Sequence, residues 1–135
     1  MKSKGFTYYQ PNEKDLKDSF GDCVIRSFTK TEGKSWTQVF DELIPFAREF
    51  QCMPNGKPSY QAYLKHYGYT YTGISNKKGT KRPTVSSFAM GHKDGKYILV
   101  TANHLVAVDQ GRFYDTWDSG DKCLYGYWTK EKEEK

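Results

Sequence analysis

Three short stretches carry residue types that could together do covalent chemistry. The first, Gly21-Asp22-Cys23-Val24-Ile25-Arg26-Ser27-Phe28, sets a cysteine just inside the start of a buried helical segment. Unpaired N–H groups and the macrodipole at a helix N-terminus favour a thiolate there. A thiolate nucleophile needs a base, and Ala102-Asn103-His104-Leu105-Val106-Ala107-Val108 offers one. The imidazole in turn needs a group that fixes its tautomer. Phe113-Tyr114-Asp115-Thr116-Trp117-Asp118 holds two candidates, Asp115 and Asp118. The chemistry implied is that of a cysteine hydrolase with Cys23 as nucleophile and His104 as base.

Hairpin register decides which aspartate serves. If Asp109 pairs with Arg112, His104 faces Trp117 and Asp115 lies one diagonal step away on the same face. If Val108 pairs with Arg112, His104 faces Thr116 and Asp118 shares its face instead. The Asp109-Gln110-Gly111 turn allows either. Each residue also has an ordinary reading. A lone cysteine is more often buried packing, a lone histidine a core residue bonded to backbone, and Asp22 a helix N-cap. Position is what raises Cys23 and His104 above that background, one opening a helix and the other a strand. Cys52, Cys123, His66 and His92 fall at no metal-ligand spacing and read as packing residues. The site calls for no metal and no cofactor.

The elements that must position these residues can be read from periodicity. Val24, Ile25 and Phe28 mark a buried face on a first helix over 23–31, ended by Gly33 as a left-handed cap. Ser35 N-caps a second helix, 36–50, whose stripe of Trp36, Val39, Phe40, Leu43, Phe46, Ala47 and Phe50 faces the core. Pro45 should kink or split it. A short third helix spans 59–66, an edge strand 69–73 and a fourth helix 84–90. The period then changes: strands are expected over 97–101, 104–108 and 112–117, with a last one near 125–128. Residues 1–18 read as an arm packed partly on the body, and 129–135 as a charged tail. Helices come first and strands after, so the expected architecture is a single α+β domain with N-terminal helices on a C-terminal antiparallel sheet.

Composition narrows the class of protein. The chain has 135 residues, enough for one hydrophobic core, and 16% of them are aromatic. That content is too apolar for a disordered chain. The net charge of +5 permits attraction to acidic partners without showing nucleic-acid binding. No stretch resembles a signal peptide, and none approaches the run of about 20 apolar residues that spans a bilayer. Three widely spaced cysteines read as free thiols in a reducing compartment, which places the protein in the cytoplasm, away from membranes. Lys77, Lys78, Lys81 and Arg82, in a loop without aromatic residues between them, give a weak nucleic-acid signal and read first as a solvated connection.

The order Cys23, His104, Asp115 or Asp118, with the cysteine opening a helix and the histidine a core strand, resembles the papain-like cysteine peptidase superfamily. Asp22-Cys23 and His104-Leu105-Val106-Ala107-Val108 followed by an acid are similar to bacteriocin leader-peptide peptidases. Gly21-Asp22-Cys23-Val24-Ile25-Arg26 and Asp115-Thr116-Trp117-Asp118 also resemble segments of small papain-like proteins carried by bacteriophages. The likeness covers 21–36 and 97–128. It implies a papain-like fold, hydrolysis of a peptide or isopeptide bond, a peptide or protein substrate, and an acid near the start of its segment, hence Asp115 ahead of Asp118. A phage-encoded chain would act in the host bacterium's cytoplasm. The alternative is a non-catalytic module on the same fold that binds a host protein or nucleic acid. The family's glutamine a few residues before the cysteine, an oxyanion donor, has no counterpart: positions 17–21 are Lys17, Asp18, Ser19, Phe20 and Gly21. Ser19, Gln10 and Asn12 remain open as substitutes beside the Cys23 N–H.

Overall fold

Ile98-Leu99 and Leu105-Val106-Ala107-Val108 are apolar at successive positions, a pattern that requires both faces of their sheet to be covered. The computed structural model, which describes residues 2–14, 22–75 and 81–130, shows that both are. Its elements in chain order are β1 (Phe6–Tyr8), α1 (Cys23–Glu32), α2 (Trp36–Phe50), α3 (Lys57–His66), β2 (Tyr69–Gly73), α4 (Val85–Gly91), β3 (Lys96–Thr101), β4 (His104–Asp109), β5 (Arg112–Asp115) and β6 (Gly126–Lys130). They form a six-stranded sheet in the order β1-β5-β4-β3-β6-β2. Ile98, Leu105, Ala107 and Trp128 pack with the core of α1, α2 and α3, while Leu99, Val106, Val108 and Phe113 pack with α4. The architecture is α+β, with helices on both faces.

Helix α1 lies along β4 and also meets β3 and β5. It is buried on nearly every side: Val24, Ile25 and Phe28, but also Arg26, Ser27, Thr29 and Thr31. Phe28 stacks on Tyr63 of α3 at 4.8 Å between ring centroids. Ser35 caps α2 by accepting from the Gln38 N–H, and Val39, Leu43 and Ala47 bury its stripe. Pro45 neither splits nor ends α2, which runs on to Phe50. Both Pro45 and Asp41, whose carbonyl loses its usual donor, are exposed, so solvent can satisfy the orphaned group. Phe50 is exposed rather than core, because the chain turns away immediately after it at Gln51, a left-handed cap.

Several boundaries differ from the sequence expectation. The N-terminal arm contributes a strand, β1, which pairs parallel to β5 through Phe6–Phe113, Thr7–Tyr114 and Tyr8–Asp115. The sheet is therefore antiparallel except at this edge, and neither strands nor helices are confined to one end of the chain. Helix α3 begins at Lys57, two residues early, with Pro58 in its first turn where a missing N–H costs nothing. Strand β5 stops at Asp115 because the Thr116 N–H bonds the Asp115 side chain at 2.8 Å instead of a neighbouring strand. The 131–135 tail and most of the 13–18 charged run lie outside the described residues. No helix among the described residues is long and apolar enough to cross a membrane.

The β4–β5 hairpin closes on Asp109–Arg112. Its turn residues Gln110 and Gly111 both have positive φ, 53° and 82°, the geometry of a type I′ turn. A Cβ on Gly111 would lie 3.2 Å from the Lys93 Cα, a backbone atom with little room to yield. Gly111→Ala is therefore expected to destabilise the fold by about 1–2 kcal/mol, read as a lower urea midpoint at unchanged slope.

Candidate active site

Cys23 is the first residue of α1, and Asp22 occupies the N-cap position with φ −104° and ψ 21°. The expected capping bond from Asp22 is absent. Its carboxylate instead accepts from Arg26 Nη1, one helical turn on, and from Trp36 Nε1 at 3.0 Å. Charge pairing wins over a cap because the Arg26 side chain is only 10% exposed and a buried guanidinium needs carboxylate partners. The first intrahelical bond is Arg26 N–H to the Asp22 carbonyl at 2.9 Å. The N–H groups of Cys23, Val24 and Ile25 thus receive no cap from Asp22.

His104 opens β4 directly after a two-residue turn, Ala102-Asn103, with Asn103 at φ 54°. Its Nε2 lies 2.6 Å from Asp115 Oδ2. Cys23 and His104 line one cleft, and the imidazole and the Leu105 N–H lie close enough to the thiol to act on its proton. With Nε2 taken by Asp115, Nδ1 is the ring nitrogen left for sulfur. Trp117 covers the ring at 4.9 Å between centroids. The three segments singled out in the sequence therefore meet as a linked chain, Cys23–His104–Asp115.

The hairpin register settles between the two aspartates. With Asp109 opposite Arg112, Asp115 comes beside His104, while Asp118 does not contact it. The Asp118 carboxylate accepts from the Ser3 N–H at 2.7 Å and the Gly120 N–H at 3.0 Å, which ties the N-terminal segment to the 118–120 loop. Asp115 is 1% exposed and takes four donors. They are His104 Nε2, the Ser119 hydroxyl at 2.7 Å, Arg26 Nη2 at 3.2 Å and the Thr116 N–H. Arg26 consequently bridges Asp22 and Asp115 beneath the cysteine.

Protonation follows from this arrangement. Burial alone would push the Cys23 thiol up, but the His104 hydrogen bond, the Leu105 N–H and the charges of His104 and Arg26 together hold it below its ordinary value. Burial works the other way on His104, and bonding to Asp115 and Cys23 overcomes it, raising the imidazole to about 9. Both shifts act in the direction of a thiolate–imidazolium pair.

A cleft of about 700 Å³ opens beside the pair, walled by Asn55, Tyr60 and Gln61 from the α3 region, by Tyr71 and Trp128 from the sheet, and by Tyr125 just before β6. Burial, then the charge of Cys23, then Tyr71 raise the Tyr60 phenol, so it keeps its proton and can donate. A second recess of about 380 Å³ lies across the 101–104 turn, against Arg82, Trp117 and Lys122. Of the possible upstream oxyanion donors, Ser19 lies outside the described residues. Gln10 and Asn12 line neither cavity, and their side-chain oxygens accept from the Asn12 and Lys14 N–H groups.

The remaining candidates take structural places. Cys52 Sγ lies 2.8 Å from the Ser59 hydroxyl, and His92 stacks on Phe88 at 3.7 Å. His66 packs on Phe46 and Tyr67. Among the described residues no group of three His, Cys, Asp or Glu side chains could hold a metal ion. Lys77 and Lys78 of the basic loop lie outside the described residues, and Arg82 packs its guanidinium on the Tyr125 ring at 4.8 Å. Arg26 was missed in the sequence, although the i, i+4 spacing from Asp22 could have marked it. Comparison of the chain with family models, curated proteins and solved structures returns no match.

Proposed function

We propose that the chain is a papain-like cysteine hydrolase that cleaves a peptide or isopeptide bond. The observation that carries this reading is Cys23 beside His104 in an open cleft, with His104 bonded to the buried Asp115 behind it. The Cys23 thiolate adds to the substrate carbonyl, and the carbonyl electrons move onto oxygen. The Cys23 N–H at the uncapped start of α1 donates to that oxyanion, and Tyr60 is our candidate for the second donor. Imidazolium His104 gives its proton to the departing amine as the C–N bond breaks, leaving a thioester. His104, now neutral, takes a proton from water, whose oxygen attacks the thioester and releases the acid and the thiolate. Asp115 keeps the imidazole oriented throughout. The three free thiols fit the reducing environment of a cytoplasm.

Hydrolysis should rise and then fall as pH increases. Hydrolysis needs the thiolate, which appears as pH rises through the lowered thiol pKa, and the imidazolium, which is lost as pH rises through about 9. Thiol labelling tests the first limb without a known substrate. At pH 6 an unperturbed thiol, pKa about 8.5, is only about 0.3% ionised. Iodoacetamide should then alkylate Cys23 at least about 10-fold faster than exposed Cys123, measured by peptide mass spectrometry. Equal or slower labelling of Cys23 would sink the proposal.

A further inference from the structure

The recess across the 101–104 turn has a different chemical character from the cleft that holds the thiol. Thr101, Ala102, Asn103, His104 and Tyr125 wall both, so the hairpin turn is a ridge between them with the imidazole at its end. Cys23 opens only to the first cavity, whereas Arg82 and Lys122 line only the second. Among the described residues neither cation forms an ion pair. The Arg82 Nε is buried without a hydrogen-bond partner, and the guanidinium is held in place by the Tyr125 ring. A buried donor left unmatched is costly, and water, an ion or a ligand acceptor can relieve it.

We infer that this recess is a carboxylate subsite: substrate chains crossing the catalytic pair place a carboxylate against Arg82 and Lys122. The inference rests on the hydrolase reading and adds to it a substrate class, an acidic group close to the scissile bond. Carboxylate is the matching chemistry. A guanidinium fork presents paired N–H donors to two oxygens, a lysine adds a mobile charge, and the imidazolium next door reinforces the positive field. The Asp118 carboxylate does not fill the need, since the Ser3 and Gly120 N–H groups hold it. The carboxylate could belong to an Asp or Glu side chain or to a chain terminus, and both present the same two oxygens.

Thiol-reactive probes separate these sources with no natural substrate in hand. Maleimidoacetyl-glycine carries a terminal carboxylate and maleimidoacetyl-aspartate α-amide a side-chain carboxylate. The glycinamide and asparagine amide analogues are their neutral partners. Second-order rates of labelling at Cys23 are read by mass spectrometry of the full chain and its peptides. At least one acid should label about 10-fold faster than its neutral partner, and which acid does so identifies the source. In Lys122→Gln, an exposed position, that ratio should fall at least about 3-fold, and in Arg82→Gln further, with Arg82→Lys restoring part of it. Circular dichroism and a thermal melt check that each variant is folded. Rapid labelling with no acid preference would overturn the subsite and leave the hydrolase reading standing. So would a preference unchanged in both folded Gln variants, which would belong to His104. Slow labelling of Cys23 by every probe would remove both.

Discussion

Asp115→Asn should lower hydrolysis by roughly 10²- to 10⁴-fold, and Asp118→Asn should change it by less than about 3-fold. The asymmetry follows from what each aspartate touches. Asp115 receives donors at both oxygens, two on Oδ1 and two on Oδ2. An amide has one acceptor end and one donor end. Whichever way an asparagine is turned, its NH₂ meets two other donors, either Arg26 and the Thr116 N–H or His104 and Ser119. The first orientation disturbs the buried guanidinium, and the second drives the imidazole to the tautomer that cannot take a proton from sulfur. Asp115→Asn also removes a major cause of the raised His104 pKa, so iodoacetamide labelling of Cys23 should shift to higher pH. Asp118 meets only backbone N–H groups, which an asparagine oxygen can still serve. Turnover of a peptide pool, followed by mass spectrometry, gives the comparison. Equal losses in the two variants would remove Asp115 from its proposed role.

The second large effect concerns stability. Arg26→Met should destabilise the fold by about 3–5 kcal/mol, measured by urea unfolding. Asp22 and Asp115 are 4% and 1% exposed, and Arg26 is the cation between them. Removing it leaves two buried carboxylates without the guanidinium that pairs them both. Arg26→Lys should recover only part of the loss, because a single ammonium cannot present two separate N–H groups to two carboxylates in one plane. A loss below about 1 kcal/mol for Arg26→Met would mean that water reaches the pair and that the bridge contributes little.

Much of the positioning frame was legible because it depends on local rules. The Val39–Leu43–Ala47 stripe, the Ser35 cap, the Gly33 cap and the apolar β-rich runs of β3 and β4 each follow from near neighbours in sequence. Cys23 and His104 stood out for the same reason, each at the start of an element. The choice between Asp115 and Asp118 was not legible, since both registers satisfy the strand pattern and only the type I′ geometry of Gln110–Gly111 decides. Strand β1 was hidden because a three-residue parallel strand has no turn to announce its partner, which lies more than a hundred residues away. Arg26 was hidden by the habit of placing helical arginines at the surface, where most are found. The cleft wall was hidden too: Tyr60, Tyr71 and Tyr125 lie far apart in sequence and converge only through long-range packing.

The Cys23–His104–Asp115 linkage and the β1–β5 pairing also set an order of events during synthesis. About 80 residues separate the cysteine from its base, so at roughly 5–20 residues per second the thiol is made about 4–16 s before the imidazole. Strand β1 waits longer still, until its partner β5 exists. Through that interval the nascent chain carries Cys23 with neither a base nor a paired acid, and its sulfur is an ordinary thiol. On the proposed reading, activation of the thiol waits until the C-terminal hairpin is made and docks on α1.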